Sequence, residues 1–220
     1  MLVNYVKFSA VYRLRHWHST APRTQGVPWR PRPGCRMTKP DTPISGKSIV
    51  LVGLMGAGKT SVGRRLAHNL DMPFIDADEE IAKAAGCSIR DIFEIYGETA
   101  FRDGERRVIM RLLDGEPRVL ATGGGAFMDS SIRSSIGKRG ITVWLRVGLD
   151  TLVRRTRRRN DRPLLKGGSP RDILERLMAE RYPIYAEANI VIDPKKNETP
   201  EKTARRVIRA LESLPQEARP

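Results

Sequence analysis

The sequence feature that most constrains this chain is a glycine-rich segment that connects an apolar run to a helical pattern. Residues 53–60 read GLMGAGKT and match G-x-x-x-x-G-K-[ST] at every position. The preceding run, residues 48–53, is short, apolar and β-branched, which predicts a buried strand. Val62, Leu66 and Leu70 follow at helical spacing. Because a phosphate loop requires this strand–loop–helix context, the sequence predicts one, and the alternative is a glycine-rich turn with a chance lysine.

A phosphate loop has a defined chemistry. Its backbone N–H groups point inward at phosphate, and the following helix presents its positive end to the same anion. Lys59 would add a mobile charge for the β- and γ-phosphates, and the Thr60 hydroxyl is a hard oxygen ligand suited to Mg²⁺. The loop therefore indicates a nucleoside triphosphate, but it does not identify the second substrate.

The rest of the chain alternates between strand and helix patterns, which predicts an α/β fold with a parallel sheet covered on both faces. Strands are predicted at 48–53, 73–78, 118–122, 141–147 and 189–193. Helices are predicted at 59–69, 78–85, 88–96, 98–113, 130–136, 150–159, 169–188 and 199–214. Asp129 and Asp150 are expected to cap two of these helices, and Thr199 is expected to begin the last one. A chain of 220 residues suits one domain with a tail, and we expect the domain over residues 46–215.

The first 45 residues differ in character from this domain. They show no sustained periodicity, and six prolines fall between Pro22 and Pro43, which predicts a disordered extension over residues 1–45. The first 40 residues carry eight basic side chains and no acidic one. Met37 opens an ordinary lead into the first strand, so we expect residues 1–36 to be an upstream extension of a cytoplasmic protein. The alternative is a transit peptide that directs the chain to a plastid.

Composition excludes several classes of protein. No run of roughly 18 apolar residues is present, so we expect no membrane span. Only Cys35 and Cys87 occur, which suits a reducing compartment rather than a disulfide framework or zinc site. The net charge of +15 raises nucleic acid as a partner, but about half of that excess lies in the basic extension. We expect neither nucleic acid nor membrane as a partner, and we expect a monomer.

Two carboxylates follow the second predicted strand. Asp76 and Asp78 would point to the same side of an extended chain, at the sheet edge where α/β proteins bind ligands. One could hold Mg²⁺ through water and the other could accept a hydroxyl proton. Since the third predicted strand has no acidic residue at its end, Asp76 is the expected magnesium residue. The alternative is that Asp78 caps the next helix and Asp76 is merely solvated.

Arg102 and a triple glycine are further candidates. Arg102 follows Phe101 on a predicted helix, where it could pair with Glu98 and Glu105 in a surface cluster. Gly123, Gly124 and Gly125 would let the backbone approach a ligand closely, although a tight turn would need only one glycine.

Cations are concentrated over residues 154–168, with seven basic residues and one acid. Such a run could follow a nucleic-acid backbone, but no aromatic side chain is present for base stacking. It begins on a helix and continues into a glycine-containing loop, which favours a mobile lid that closes on phosphate. Arg181 lies on a later helix, where it could instead be solvated and paired with Glu180 or Asp172.

These motifs together resemble shikimate kinase. The segments that carry the resemblance are GLMGAGKTSVGRRLA, FIDADEEI, IFEIYGETAFRDGE, VLATGGGA, NDRPLL and RYPIYAEA. They occur in the family's order and at close to its spacings, over roughly residues 48–212. The phosphate loop is common to many proteins, whereas the acidic pair, the Phe-Arg pair, the triple glycine and the lid Arg-Pro-Leu-Leu are specific in combination. A gluconate-type sugar-acid kinase would share the loop without the Phe-Arg and triple-glycine pair.

The resemblance implies an α/β, three-layer P-loop kinase fold with a five-stranded parallel sheet and a mobile lid. It implies ATP-dependent phosphorylation of the shikimate 3-hydroxyl, with Mg²⁺ held by Thr60 and Asp76. Lys59, Asp78 and Arg162 would be catalytic, and Phe93 and Phe101 would wall the acceptor pocket. The implied ATP-binding residues are Gly56, Ala57, Gly58, Lys59, Thr60, Ser61, Arg155, Arg162 and Pro200. The implied shikimate-binding residues are Asp78, Arg102, Gly123, Gly124, Gly125 and Arg181. The chain departs from the family in its long basic extension and in additional arginines at 157–159.

Overall fold

A computed structural model describes residues 46–157, 169–195 and 197–214. Within these ranges, five strands alternate with helices in the predicted order. The strands are β1 (Ser48–Val52), β2 (Phe74–Asp76), β3 (Val119–Ala121), β4 (Gly140–Leu145) and β5 (Ile190–Ile192). The helices are α1 (Lys59–Asn69), α2 (Ala77–Ala85), α3 (Ile89–Asp114), α4 (Ser130–Arg139), α5 (Leu149–Thr156), α6 (Pro170–Tyr185) and α7 (Pro200–Glu212), with a 3₁₀ turn at Ala126–Met128.

The five strands form one parallel sheet in the order β2-β3-β1-β4-β5, which confirms the predicted architecture. All five residues of β1 are buried, as expected for the central strand of a sheet flanked by helices. Because the strands are parallel, their carboxyl ends meet at one edge. The loop after β1 therefore lies in the middle of that edge, with Asp76 two strands away on one side and the end of β5 two strands away on the other.

Helix α3 contains a break at Gly97, where φ is 79° and ψ is 176°. This conformation is open to glycine and strained for other residues, so the helix is interrupted there. The sequence predicts two helices on either side of this glycine, and the break confirms that division. Phe93 and Phe101, one on each side of it, pack with their ring centroids 4.5 Å apart.

Two predicted boundaries are wrong. The second strand ends at Asp76, and Asp78 lies in the first turn of α2 rather than on the strand. The cause is that Asp76 caps α2, because its Oδ1 accepts a hydrogen bond from the Asp78 N–H at 3.1 Å. The second error concerns Asp150, which was expected to cap α5 and does not. Gly148 occupies that position of α5, and Asp150 lies in the first turn.

Other predicted caps are confirmed. Asp129 Oδ1 accepts hydrogen bonds from the N–H groups of Ser131 at 2.8 Å and Ile132 at 3.2 Å, and so begins α4. Thr199 Oγ1 accepts from the Lys202 N–H at 3.3 Å and so begins α7.

Some predictions fall wholly or partly outside the described residues. The basic extension over residues 1–45 and the lid around Arg162 belong to this group. The predicted helix 150–159 ends earlier, at Thr156, within the described range. In the part of the chain that the structure describes, no helix combines the length and hydrophobicity needed to cross a bilayer.

The start of α3 generates a stability prediction. Ser88 Oγ accepts a hydrogen bond from the Asp91 N–H at 3.1 Å, and the Ser88 N–H donates to Asp91 Oδ2 at 3.2 Å, which completes a capping box. Ser88→Ala should therefore lower the free energy of unfolding by about 1 kcal/mol, as measured by urea titration. The exposed Ser131, which begins no helix, gives the control variant Ser131→Ala, with a change within about 0.5 kcal/mol. Equal stability of the two variants would contradict the capping assignment.

Candidate active site

A pocket of about 420 Å³ opens at the carboxyl edge of the sheet. It brings together predicted site residues that are distant in sequence, which places the phosphate loop beside the acidic pair. Its walls include Gly56, Ala57, Gly58, Lys59, Thr60, Ser61, Asp76, Asp78, Gly124, Arg155 and Pro200.

The phosphate loop has the backbone that the motif requires. Gly56 and Gly58 have φ values of 80° and 97°, in the left-handed region that favours glycine. Gly58 is the N-cap of α1 and provides no side-chain cap, so the first N–H groups of the helix are left for a ligand. Such a helix terminus is a site for an anion.

Lys59 lies folded over this loop. Its Nζ donates hydrogen bonds to the carbonyl oxygens of Gly53 at 2.6 Å and Leu54 at 3.1 Å. The ammonium group is thus positioned by the loop that it serves, next to the N-terminus of α1.

Thr60 and Asp76 are in direct contact, as predicted for a shared magnesium site. Thr60 Oγ1 donates to Asp76 Oδ2 at 2.8 Å. A hydroxyl and a carboxylate are hard oxygen ligands, and both line the pocket, so the pair fits Mg²⁺. Among the described residues, no group of three or more His, Cys, Asp or Glu side chains is arranged to hold a metal. The remaining ligands would be phosphate oxygens and water, the usual manner of Mg²⁺ binding beside a nucleotide.

Asp78 still faces the pocket although it lies on a helix. A methyl group at Gly123 would lie 2.9 Å from Asp78 Oδ1 and 2.6 Å from Glu105 Oε1. The two carboxylates therefore both approach Gly123, and a larger residue at this position would require one of them to move.

Sequence reasoning missed the role of Glu105, which it treated as a surface partner of Arg102. Glu105 is 1% exposed, and its Oε1 accepts no hydrogen bond from the residues that the structure describes. Burial raises the pKa of this carboxyl, against the opposing effect of Arg102. The spacing of Glu105 could have indicated that it is buried, because it lies on the apolar stripe of α3 with Phe101, Val108 and Leu112.

Arg102 is held by two carboxylates. Its Nη1 donates to Glu105 Oε2 at 2.6 Å, and its Nη2 donates to Glu98 Oε1 at 3.0 Å. The surface-cluster alternative is wrong in one respect, because Glu105 is buried. A methyl group at Gly125 would collide with the Arg102 guanidinium, so the third glycine leaves space for this side chain.

Arg181 is buried, which excludes the alternative that it is a solvated arginine on the helix surface. It is 8% exposed, and its Nη1 donates to the Gly124 carbonyl oxygen at 2.9 Å. The Tyr185 hydroxyl donates to the same oxygen. Burial raises the pKa of Tyr185 to about 12, so this hydroxyl keeps its proton and remains a donor.

The nucleotide side of the pocket is formed by other elements. Arg155 Nη1 donates to the carbonyl oxygens of Gly56 at 3.2 Å and Ala57 at 3.3 Å, which places the guanidinium on the phosphate loop. Pro194, Glu198 and Pro200 complete this wall. The predicted stacking of Arg155 on adenine stays a prediction, and Arg162 lies outside the described residues.

Comparison with known proteins gives a consistent result. The family model described as "Shikimate kinase" matches residues 55–212. The shikimate kinase of Paramagnetospirillum magneticum is 57% identical over 169 residues, which cover 77% of this chain and 85% of that protein. The shikimate kinase of Mesorhizobium japonicum is 48% identical over 168 residues, covering 76% and 82%.

Solved structures agree with the sequence comparison. Shikimate kinase from Acinetobacter baumannii in complex with shikimate superposes with a TM-score of 0.72 at 38% identity, over 76% of this chain and 93% of that one. Shikimate kinase from Bacteroides thetaiotaomicron gives a TM-score of 0.70 at 32% identity, over 76% and 98%. The resemblance inferred from the motifs is confirmed, and the chain belongs to the shikimate kinase family.

Proposed function

We propose that this chain transfers the γ-phosphoryl group of ATP to the 3-hydroxyl of shikimate, giving shikimate 3-phosphate and ADP. The observation that carries the proposal is the convergence of four charged side chains on three consecutive glycines. Asp78 and Glu105 flank Gly123, Arg181 binds Gly124, and Arg102 lies against Gly125. Asp78 and Gly124 also line the pocket of the phosphate loop, so an acceptor bound there lies beside the phosphates.

The charges of this site match the chemistry of the acceptor. Shikimate is a small anionic polyol, whose carboxylate is best bound by forked guanidinium groups and whose hydroxyls can donate to a carboxylate. We assign the substrate carboxylate to Arg102 and Arg181. Asp78 then accepts a hydrogen bond from the attacked hydroxyl and is the candidate general base. Gly123, Gly124 and Gly125 allow the substrate to lie against the backbone.

Phosphoryl transfer needs mainly positioning and neutralisation of charge. The N–H groups of residues 56–61 and the Lys59 ammonium would hold the β- and γ-phosphates. Thr60 and Asp76 would hold Mg²⁺, which neutralises phosphate charge when bound. Arg162 is proposed as the lid arginine that reaches the transferred group. Arg155 and Pro200 are proposed to enclose the adenine.

We also propose a monomeric, cytoplasmic enzyme that acts on ATP and shikimate alone. The two isolated cysteines suit a reducing compartment. About half of the excess charge lies in the basic extension, and the basic run at 154–168 contains no aromatic side chain for base stacking, which argues against nucleic acid as a partner.

The function is tested by ADP release from the full-length chain with MgATP. Shikimate, gluconate, AMP and no acceptor are compared under identical conditions. Among these four conditions, turnover is expected with shikimate alone, since shikimate is the acceptor of the family to which the chain belongs. Turnover with gluconate and none with shikimate would retain the phosphate loop and overturn the acceptor assignment.

Asp78 has a kinetic prediction of its own. Asp78→Asn should lower kcat by about 10²–10⁴-fold, because the attacked hydroxyl loses its proton acceptor. The KM for ATP should change little, since the amide preserves the shape of the site. Glu79→Gln, at the exposed adjacent residue that pairs with Arg64, is the matched control and should retain normal kcat. A kcat unchanged by Asp78→Asn would end the general-base assignment.

We expect Arg102 to contribute to the binding of shikimate and not to the binding of ATP. Arg102→Ala should raise the KM for shikimate by about 10–100-fold, the size expected for losing a charge-assisted hydrogen bond. The KM for ATP should stay within about twofold, because Arg102 lies against Gly125 and is not among the residues that line the pocket of the phosphate loop. Arg90→Ala, which removes an exposed pair with Glu94 on the same helix, is the control. Equal increases in both KM values would make Arg102 a structural residue instead.

A further inference from the structure

The loop between β5 and α7, residues 193–199, borders the nucleotide side of the pocket. Pro194 and Glu198 line the pocket, and Pro200 follows directly. The end of β5 lies two strands from β1, on the side opposite Asp76, which corresponds to about 10 Å at the usual strand spacing. If the terminal phosphate points toward Asp78, the base must extend toward this loop. The inference therefore rests on the proposed function.

The backbone gives this loop little support. Strand β5 has only three residues, and it is an edge strand that pairs with β4 alone. A short edge strand contributes few hydrogen bonds to hold the chain that follows it. One backbone hydrogen bond lies within the described part of the loop, from the Glu198 N–H to the Lys195 carbonyl oxygen at 3.0 Å, and it closes a turn without joining the loop to the sheet. Side chains connect the loop to the neighbouring elements.

One nitrogen of α7 connects the two parts of the loop. Arg206 Nη1 donates to the Asp193 carbonyl oxygen at 2.7 Å and to Glu198 Oε2 at 3.0 Å. The same Glu198 oxygen accepts from the Lys195 N–H at 2.7 Å. A single carboxylate–guanidinium contact, between Glu198 and Arg206, thus holds Asp193, Lys195 and Glu198 together.

Burial makes this contact strong. The Glu198 side chain is 6% exposed, so removing the Arg206 guanidinium would leave a buried negative charge without this cation, although the Lys195 N–H would still donate to it. Arg146 gives a second anchor, because its Nε and Nη2 donate to the Asp193 carboxylate at 2.5 Å and 2.6 Å. Both side chains of that pair are about half exposed, so the pair contributes less to the position of the loop than the contact between Arg206 and Glu198 does.

We propose that Arg206 is a positioning residue for the nucleotide, which fixes the described residues of this loop, 193–195 and 197–199, as the wall on which the base of ATP lies. Arg206 is not among the residues that line the pocket. Its effect passes through Glu198 and the Asp193 carbonyl, and it should be confined to the nucleotide because the acceptor binds on the opposite side of the sheet edge.

The test is Arg206→Ala in the full-length chain, with three kinetic constants measured. The KM for ATP should rise about tenfold, the size of a lost charge-assisted contact, while kcat and the KM for shikimate stay within about twofold. Arg205→Ala is the matched control, because Arg205 is the adjacent residue of α7 and makes only an exposed pair with Glu201. It should leave all three constants unchanged.

Arg206→Lys provides a rescue. Both hydrogen bonds come from one nitrogen of Arg206, and a lysine ammonium carries three donors, so it can make both. The KM for ATP should recover to within about threefold of the wild-type value. If Arg206→Ala does not fold, Glu198→Gln keeps the shape of the partner, removes its charge and should raise the KM for ATP in the same way.

Calorimetric titration with MgADP separates this inference from the proposed function. Weaker MgADP binding by Arg206→Ala than by Arg205→Ala would support the positioning role even if shikimate were not the acceptor. The proposal would be overturned by an unchanged affinity for MgADP, or by equal losses in kcat and in both KM values.

Discussion

The hydrogen bond from Thr60 to Asp76 connects the two halves of the site. Strand β2 is not adjacent to β1, since β3 lies between them, so the sheet alone does not bring Asp76 to the phosphate loop. The contact of 2.8 Å between Thr60 Oγ1 and Asp76 Oδ2 does so. The other oxygen of Asp76 caps α2 and thereby places Asp78 on the first turn of that helix. One carboxylate thus contacts Thr60, its partner in the proposed magnesium site, and caps the helix that carries Asp78, the proposed general base.

The acceptor side is costly to build. It buries the carboxyl of Glu105, leaves one of its oxygens without a partner among the described residues, and encloses Arg181 almost completely. An unpaired buried acceptor destabilises the fold by about 1–3 kcal/mol. We attribute this cost to preorganisation, because charges that are fixed before the substrate arrives need no reorganisation during the reaction. Gly123 and Gly125 contribute to the arrangement, since a methyl group at either position would lie within 3 Å of the Asp78 and Glu105 carboxylates or of the Arg102 guanidinium.

Local patterns in the sequence predict most of the fold but only part of the site. Alternating strand and helix patterns, the loop at 53–60 and the break at Gly97 are encoded within a few residues, so each is predictable. The prediction that Asp78 lies on the strand was wrong, because the Asp76 side chain caps α2 and ends the strand at residue 76. Periodicity in the sequence does not reveal such a cap. The burial of Arg181 and Glu105 depends on packing between distant segments, so spacing along one helix could not distinguish it from a surface ion pair.

In the arrangement that we propose, the phosphate loop divides the sheet edge into an acceptor side near β2 and a nucleotide side near β5. Hydrogen exchange of the full-length chain, read by mass spectrometry with each ligand alone, is a direct test of this claim. Shikimate should slow exchange in residues 77–105 and 122–128, and MgADP should slow exchange in residues 53–62 and 190–203. Protection of residues 190–203 by shikimate, with none in residues 77–105, would contradict the claim.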